Sequence, residues 1–344
     1  MIKRDIKSLP LQKLSDELSQ MSLPSFRAKQ IFEWLHKGVL SFDEMSNLSK
    51  ELRSKLSEKY YISTVKISKK LVSKIDGTVK YLFELDDGEC VESVVMKYEH
   101  GLSICISSQV GCKMGCRFCA STIGGFVRHL SAGELLNQVL FATLDLGERI
   151  SNIVMMGIGE PLDNFENVCD FLDIVSCDKG INIGARHISL STCGLVDKIY
   201  QLADMKKQIT LSVSLHAPDD TTRDKIMPVN KKYNTDELLD ACRYYIEKTN
   251  RRISFEYTLI SGVNDSDNHA YSLAKRLKGM LCHINIINVN NVKEREYKST
   301  SRKRVDSFVG ILIKEGLNAT VRRVLGSDIN ASCGQLRRDS AKNQ

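Results

Sequence analysis

At 344 residues the chain suits one barrel-sized domain with a small appendage, and its 42% hydrophobic and 26% charged residues are those of an ordinary water-soluble protein. No apolar run approaches the roughly 18 residues of a membrane span, and the opening MIKRDIKSLPLQKL lacks the apolar stretch of a secretion signal, so a cytoplasmic location is expected. Eleven cysteines, an odd number in a long chain, argue against a secreted disulfide framework and for metal binding or thiol chemistry, while a net charge of +7 permits a polyanionic partner without requiring one.

Residues 1–62 read as a small helical domain. Phe26, Ile31, Phe32, Trp34 and Leu35 cluster in SFRAKQIFEWLHKG, with Gly38 placed to end a helix, and Lys50 to Tyr60 forms a second amphipathic stretch with basic residues outward. Residues 63–101 change character. KYLFELDDGECVESVVMKY alternates about the Asp87-Gly88 turn signal and predicts a short β-hairpin linker that carries Glu92. From residue 102 to 336 strand and helix patterns alternate. Strands are expected at Ser103–Ile106, Asn152–Met156, His187–Ser191, Thr210–Leu215, Ile253–Leu259, His283–Val289 and Thr320–Val324. Helix starts are marked by Ser131 with Glu134 and by Asn234 with Glu237. Such alternation gives an α/β fold with a parallel sheet and right-handed crossovers. Six or seven units predict a partial (βα)6-type barrel with its chemistry at the C-terminal ends of the strands. Gly159, Glu160, Ser191, His216 and Asn290 all fall at or just past those ends. Residues 337–344 form a basic tail.

The strongest local signal is Cys112-Lys-Met-Gly-Cys116-Arg-Phe-Cys119. Thiolates are soft ligands for iron–sulfur clusters or zinc. Zinc asks for a fourth, paired Cys or His, and His129 has no paired partner. A four-iron cluster with three protein thiolates keeps one iron open. This CxxxCxxC spacing resembles the radical S-adenosylmethionine (SAM) superfamily. The resemblance implies that an open iron binds the amino and carboxylate groups of SAM, and that an electron passed to the sulfonium releases a 5′-deoxyadenosyl radical. Gly157-Ile-Gly159-Glu160-Pro161 resembles the superfamily's GEP motif, and by the same likeness Ser191, Ser214, Leu215, His216 and Asn290 are expected to contact SAM. Asn288 stands where a proline is usual, two residues before Asn290.

Nearly the whole chain is similar to the RlmN/Cfr family of radical SAM RNA methyltransferases. The matching segments are CISSQVGCKMGCRFCAST, MMGIGEPLDN, SVSLHAP, IMPVN, RRISFEYTLISGVNDS and RRVLGSDINASCGQLR. The likeness implies methylation of C2 of an adenine in 23S ribosomal RNA, and in transfer RNA, with one [4Fe-4S] cluster and two SAM per turnover. Adenine C2 is electron-poor, so a polar methyl transfer to it fails, whereas a thiolate is a strong nucleophile toward SAM. Cys333 is thereby expected to carry the methyl group, Cys105 to resolve the adduct through a transient disulfide with Cys333, and Glu92 to exchange protons with the ring. From residue chemistry alone Glu92 reads as a solvated hairpin residue, and Cys105 and Cys333 as small buried hydrophobes. Cys90, Cys169, Cys177, Cys193, Cys242 and Cys282 match no catalytic position. The helical segment resembles the family's RNA-binding accessory domain. The run Lys293 to Arg304, Arg337-Arg338 and the N-terminal helices are candidate phosphate contacts. An electron donor such as a flavodoxin or ferredoxin and a monomeric state are expected. Two other readings compete: a Cfr-type adenine-C8 methyltransferase, which would use the same cysteines, and a metal-stabilised RNA-binding module without catalysis.

Overall fold

The computed structural model describes residues 3–290 and 292–336. Arg337, Arg338 and the rest of the basic tail lie outside the described residues.

The first sixty residues are built from β1 (Arg4–Asp5), α1 (Leu11–Gln20), α2 (Phe26–Leu35), α3 (Lys50–Lys59) and β2 (Tyr60–Tyr61). Leu14, Leu18, Ile31, Phe32, Leu35, Leu52 and Leu56 recur at helical spacing and are buried together. Ser49 caps α3 by accepting from the Leu52 amide. A parallel pairing of β1 with β2 closes this unit on itself, which helical periodicity could not foretell.

Next come β3 (Val65–Val72), β4 (Val79–Leu85), β5 (Cys90–Tyr98) and β6 (Gly101–Cys105), with β3–β4, β4–β5 and β5–β6 each paired antiparallel. The hairpin expected about Asp87-Gly88 is β4–β5, with Gly88 at φ 81. It is not a free-standing linker: β3 adds a third strand, and β5 joins the barrel sheet through β6. A small hairpin of β7 (Gln109–Gly111) and β8 (Phe126–His129) brackets the cysteine loop.

The alternating part follows as α4 (Ala132–Leu146), β9 (Ile150–Met155), α5 (Phe165–Ser176), β10 (Ile188–Thr192), α6 (Val196–Asp204), β11 (Thr210–Ser214), α7 (Asp220–Ile226), α8 (Thr235–Thr249), β12 (Ile253–Leu259), α9 (Asp267–Leu277), β13 (Cys282–Asn288), α10 (Arg302–Lys314) and β14 (Ala319–Val321). Both expected capping boxes form, at Ser131/Glu134 and Asn234/Glu237. The sheet runs β14-β13-β12-β11-β10-β9-β6-β5-β4-β3, and from β14 to β6 all neighbours are parallel. Leu190, Leu211, Val213, Phe255, Ile284 and Ile286 face the helices and form the core. The alternate residues Ser189, Ser212, Ser254 and Asn285 line the inner hollow together with Tyr98 of β5 and Arg322 beyond β14, so the sheet curls far enough to bring distant strands around one space.

The N-terminal unit sits on α4 through buried polar groups. The Lys7 ammonium donates to Asn137 (3.0 Å), Asn137 donates to the Ser63 carbonyl (3.0 Å), and Asp5 accepts from the Ser63 amide (3.1 Å). Gly133 must lack a side chain there, because a Cβ would lie 2.1 Å from the Asp5 carboxylate. On the other flank His36 packs against Gly180, whose added Cβ would meet the ring at 2.7 Å. His36 Nδ1 donates to the Phe32 carbonyl (2.8 Å) and Nε2 is buried without a partner. Burial pushes this imidazole down to about 4. The folded state therefore binds the proton more weakly than the unfolded chain, so stability is complete above the ordinary value of 6.5 and is lost as pH falls toward 4. Chemical denaturation at pH 7 and pH 5 is expected to show wild type losing on the order of 1–2 kcal/mol more than His36→Phe; equal losses would remove His36 from the pH response.

Candidate functional site

The parallel strands end at one rim, and the residues just past those ends surround a cleft of about 960 Å3, open to solvent. Cys112, Cys116, Cys119, Gly159, Glu160, Ser191, Ser214, His216, Asn290 and Cys333 all line it. Three expected residues do not. Leu215 points into the core, with its carbonyl bonded to Arg223 (3.0 Å). Cys105, on β6, is packed beside the cleft with Val94, Ile158, Ala331 and Leu336. Glu92, on β5, is 2% exposed rather than solvated, and its carboxylate pairs with the Lys80 ammonium at 2.7 Å.

The three clustered thiols ring one end of the cleft. Burial pushes Cys112 up to about 12 and raises Cys116 and Cys119 as well; Cys119 adds to the rise of Cys112 and Cys116, and Cys333 to that of Cys119. Buried thiolates so arranged need a cationic centre to hold them ionised. Among the described residues no three Cys, His, Asp or Glu groups converge closely enough to share one ion. Three thiols on one cleft, with no paired fourth ligand in the Cys112–Cys119 loop, fit an iron–sulfur centre in which each sulfur takes its own iron. The loop is tied down by Arg295, which donates to the Cys119 carbonyl (3.3 Å) and the Thr122 hydroxyl (2.8 Å). This arginine from the run Lys293 to Arg304 is thus turned inward on the cysteine loop.

Glu160 lines the same cleft, within electrostatic reach of Cys112 and Cys116. Its oxygens accept from the Cys193 amide (2.7 Å) and the Leu162 amide (3.0 Å), yet burial still raises the carboxyl above its ordinary value. A carboxylate in that setting would be stabilised by an ammonium group. Gly159, at φ 106, brings the backbone so close to the β7 strand that a Cβ would lie 2.7 Å from Gln109 and from Ser108. His216, also left-handed at φ 56, accepts from the Thr258 amide at Nδ1 (2.9 Å), which leaves Nε2 to carry the ring proton. Burial lowers it to about 3, so it faces the cleft as a neutral donor. Phe118 meets its ring edge-on at 4.9 Å.

Four cleft-forming residues escaped the sequence reading. Arg223 of α7 is wholly buried and donates to the carbonyls of Cys193 (2.6 Å), Ser214 (3.1 Å) and Leu215 (3.0 Å) and to Asn230 (3.0 Å), lacing the ends of β10 and β11 together. Cys193 lines the cleft beside Glu160. Glu256 of β12 is buried 3.5 Å from Arg322, and Arg322 in turn lies in the field of Cys333 and Cys105. One signal was available: Ser254, Glu256 and Thr258 alternate in a strand otherwise apolar, which marks a polar inner face. For Arg223, one charge in an exposed-looking helix, there was none.

Comparisons with known proteins agree with this geometry. Residues 106–274 match the Radical SAM superfamily, and residues 4–62 match the Ribosomal RNA large subunit methyltransferase N-terminal domain. The chain is 58% identical over 343 residues to a probable dual-specificity RNA methyltransferase RlmN of Alkaliphilus oremlandii, covering 100% of both chains. It is 55% identical to the protein so named of Clostridium tetani, covering 98% of this chain and 97% of the relative. A crystal structure of a radical SAM methyltransferase from Sphaerobacter thermophilus superposes with a TM-score of 0.90 at 41% identity, covering 97% of this chain and 99% of that one. Gly159→Ala is expected to force the Glu160 turn away from Gln109 and to weaken SAM binding about tenfold or more, the effect of 1–3 kcal/mol of overpacking. Equilibrium dialysis measures this, and an unchanged affinity would detach the Gly159 turn from the ligand.

Proposed function

Since the chain belongs to the RlmN family of radical SAM RNA methyltransferases, we propose that it methylates C2 of an adenine in 23S ribosomal RNA and in transfer RNA, with Cys333 as the methyl carrier. It is an enzyme whose cofactors are a [4Fe-4S] cluster and SAM. The observation that carries the carrier reading is the position of Cys333, which lines the same cleft as the three clustered thiols and lies in the field of both Cys105 and Arg322.

Cys112, Cys116 and Cys119 would hold the cluster, and Glu160 would receive the ammonium of SAM while His216, Ser191, Ser214 and Asn290 orient the rest. When bound, the reduced cluster supplies the electron that turns SAM into a hydrogen-abstracting radical. The protein's part begins with the Cys333 thiolate, which takes a methyl group from one SAM with displacement of the neutral thioether. The Arg322 guanidinium, braced by Glu256, lies within electrostatic reach of that sulfur. Loss of hydrogen from the S-methyl group gives a carbon radical that adds to adenine C2. Cys105, buried among apolar side chains on β6, keeps its proton until called on, since burial pushes it up to about 12. After the ring radical has lost the C2 proton and one electron, which the cluster would take back, the Cys105 sulfur attacks that of Cys333, the C–S bond breaks, the released methylene carbon takes up a proton to become the methyl group, and a disulfide is left for external reduction. Glu92, paired with Lys80 at 2.7 Å, is the proposed group that moves the ring proton. The adenine must leave its stack to enter the cleft. The basic residues of 293–304 other than the inward-turned Arg295, together with the N-terminal unit, are the proposed phosphate contacts, and a flavodoxin or ferredoxin is the proposed electron donor. The same cysteine geometry would serve C8 chemistry; it is the RlmN kinship that favours C2.

Incubating reconstituted enzyme with RNA and labelled SAM, then separating the nucleosides, is expected to yield 2-methyladenosine; 8-methyladenosine would reverse the regiochemistry. Cys333→Ala is expected to give no methylated RNA, and any label in adenine would contradict the carrier role. Cys105→Ala is expected to accumulate a covalent protein–RNA adduct on a denaturing gel, whereas free methylated product without adduct would take the resolving role from this thiol.

A further inference from the structure

Cys333 belongs to the stretch from Arg322 to Leu336, which has only one short 3-10 turn, Ser327–Ile329. A carrier sulfur must meet SAM, adenine C2 and Cys105 in turn, and misplacement by about an ångström can cost on the order of a hundredfold in rate. A loop with so little structure of its own needs external anchors.

On the cleft side three hydrogen bonds hold it: Asn290 donates to the Cys333 carbonyl (2.9 Å), the Ala120 amide to Gly334 (2.8 Å) and the Ser121 hydroxyl to Leu336 (2.8 Å). The other side is held by a segment more than two hundred positions away in sequence, the β3–β4 turn. Its Asp76 accepts from the Gly326 amide (2.9 Å), while Asp328 of the loop accepts from the Ser73 hydroxyl (2.7 Å) and the Lys74 amide (3.0 Å). The exchange is reciprocal, one carboxylate from each side. The turn is itself rigid: Thr78 and Ser73 are buried, the Ser73 amide donates to the Thr78 carbonyl (2.8 Å), and Asp76 accepts from the Thr78 amide (3.0 Å). The fit is close, since a Cβ on Gly326 would lie 3.0 Å from Thr78 and 2.7 Å from Ala331. Beyond the turn, the Lys80 ammonium pairs with Glu92 (2.7 Å) and donates to the Asn330 carbonyl (3.3 Å).

We propose that the β3–β4 turn is a positioning clamp for the carrier loop, and that Lys80 couples the loop to Glu92. Asp76, Asp328 and Lys80 are positioning residues: they act through Cys333 and Glu92. This rests on Cys333 being the methyl carrier. It also gives the antiparallel extension of the barrel sheet a task, which is to hold the third side of the active site.

The test compares wild type with Asp328→Ala, which loses both bonds to the turn, and Asp328→Asn, which keeps an acceptor oxygen. Asp328 is exposed, so neither change opens the core. Hydrogen exchange in residues 326–336 is expected to quicken about tenfold in the alanine variant, the size of a lost charge-assisted bond. In the reconstituted enzyme, 5′-deoxyadenosine released per methylated adenine is expected to rise severalfold in Asp328→Ala and to return toward wild type in Asp328→Asn. Asp76→Asn and Lys80→Met are expected to raise the same ratio. A faster-exchanging loop with an unchanged ratio overturns the clamp, because looseness would then be without consequence for coupling. Wild-type protein whose Cys333 never carries a methyl group by mass spectrometry overturns the carrier reading instead.

Discussion

Thiols, carboxylates and guanidinium groups are held away from water around one cleft, and burial acts against the charged form of each. The structure offsets this by pairing several of these groups at the rim, although Oε2 of Glu256 is buried without a hydrogen-bond partner. Glu160 takes two backbone amides. Arg223 gives to three carbonyls and an asparagine. His216 takes an amide and stays neutral. What is left uncompensated is the chemistry: three thiols that need a metal centre, and a Glu160 carboxyl that would gain from an ammonium partner. A buried site with those specific deficits is selective for a ligand that supplies both.

Parallel strands make this arrangement possible because all their C-terminal ends reach the same rim. The inner face is polar below the rim as well, where a packed barrel would carry branched apolar side chains. Ser189, Ser212, Ser254 and Asn285 leave room for the buried Glu256–Arg322 pair. That pair sets a half-buried cation within electrostatic reach of Cys333 and Cys105. The price in stability is carried by the outer face, where Leu190, Leu211, Phe255 and Ile284 pack under the helices.

Segments distant in sequence meet at one loop. The cysteine loop, the end of β13 and the β3–β4 turn each grip the stretch around Cys333. The N-terminal unit is fixed to α4 by Lys7, Asn137 and Ser63 and flanked by the His36–Gly180 contact. An RNA-contacting surface on that unit would keep a constant relation to the cleft, as the proposed carrier chemistry requires.

Sequence alone determined the alternating fold, the three-thiol loop and the Gly159-Glu160 turn. These are local: strand period, capping residues and ligand spacing are written within a few residues of each other. It also pointed to Cys105, Cys333 and Glu92, but only through likeness to a family, since a thiol or carboxylate in isolation carries no sign of its neighbours. The tertiary structure decided what burial and approach alone can decide. It turned Glu92 from a solvated hairpin residue into an ion-paired buried one, made the 63–101 segment part of the main sheet, and gave Arg223, Glu256 and Arg322 their places. Those outcomes hang on contacts between residues tens to hundreds of positions apart, and no period or spacing within one segment encodes them.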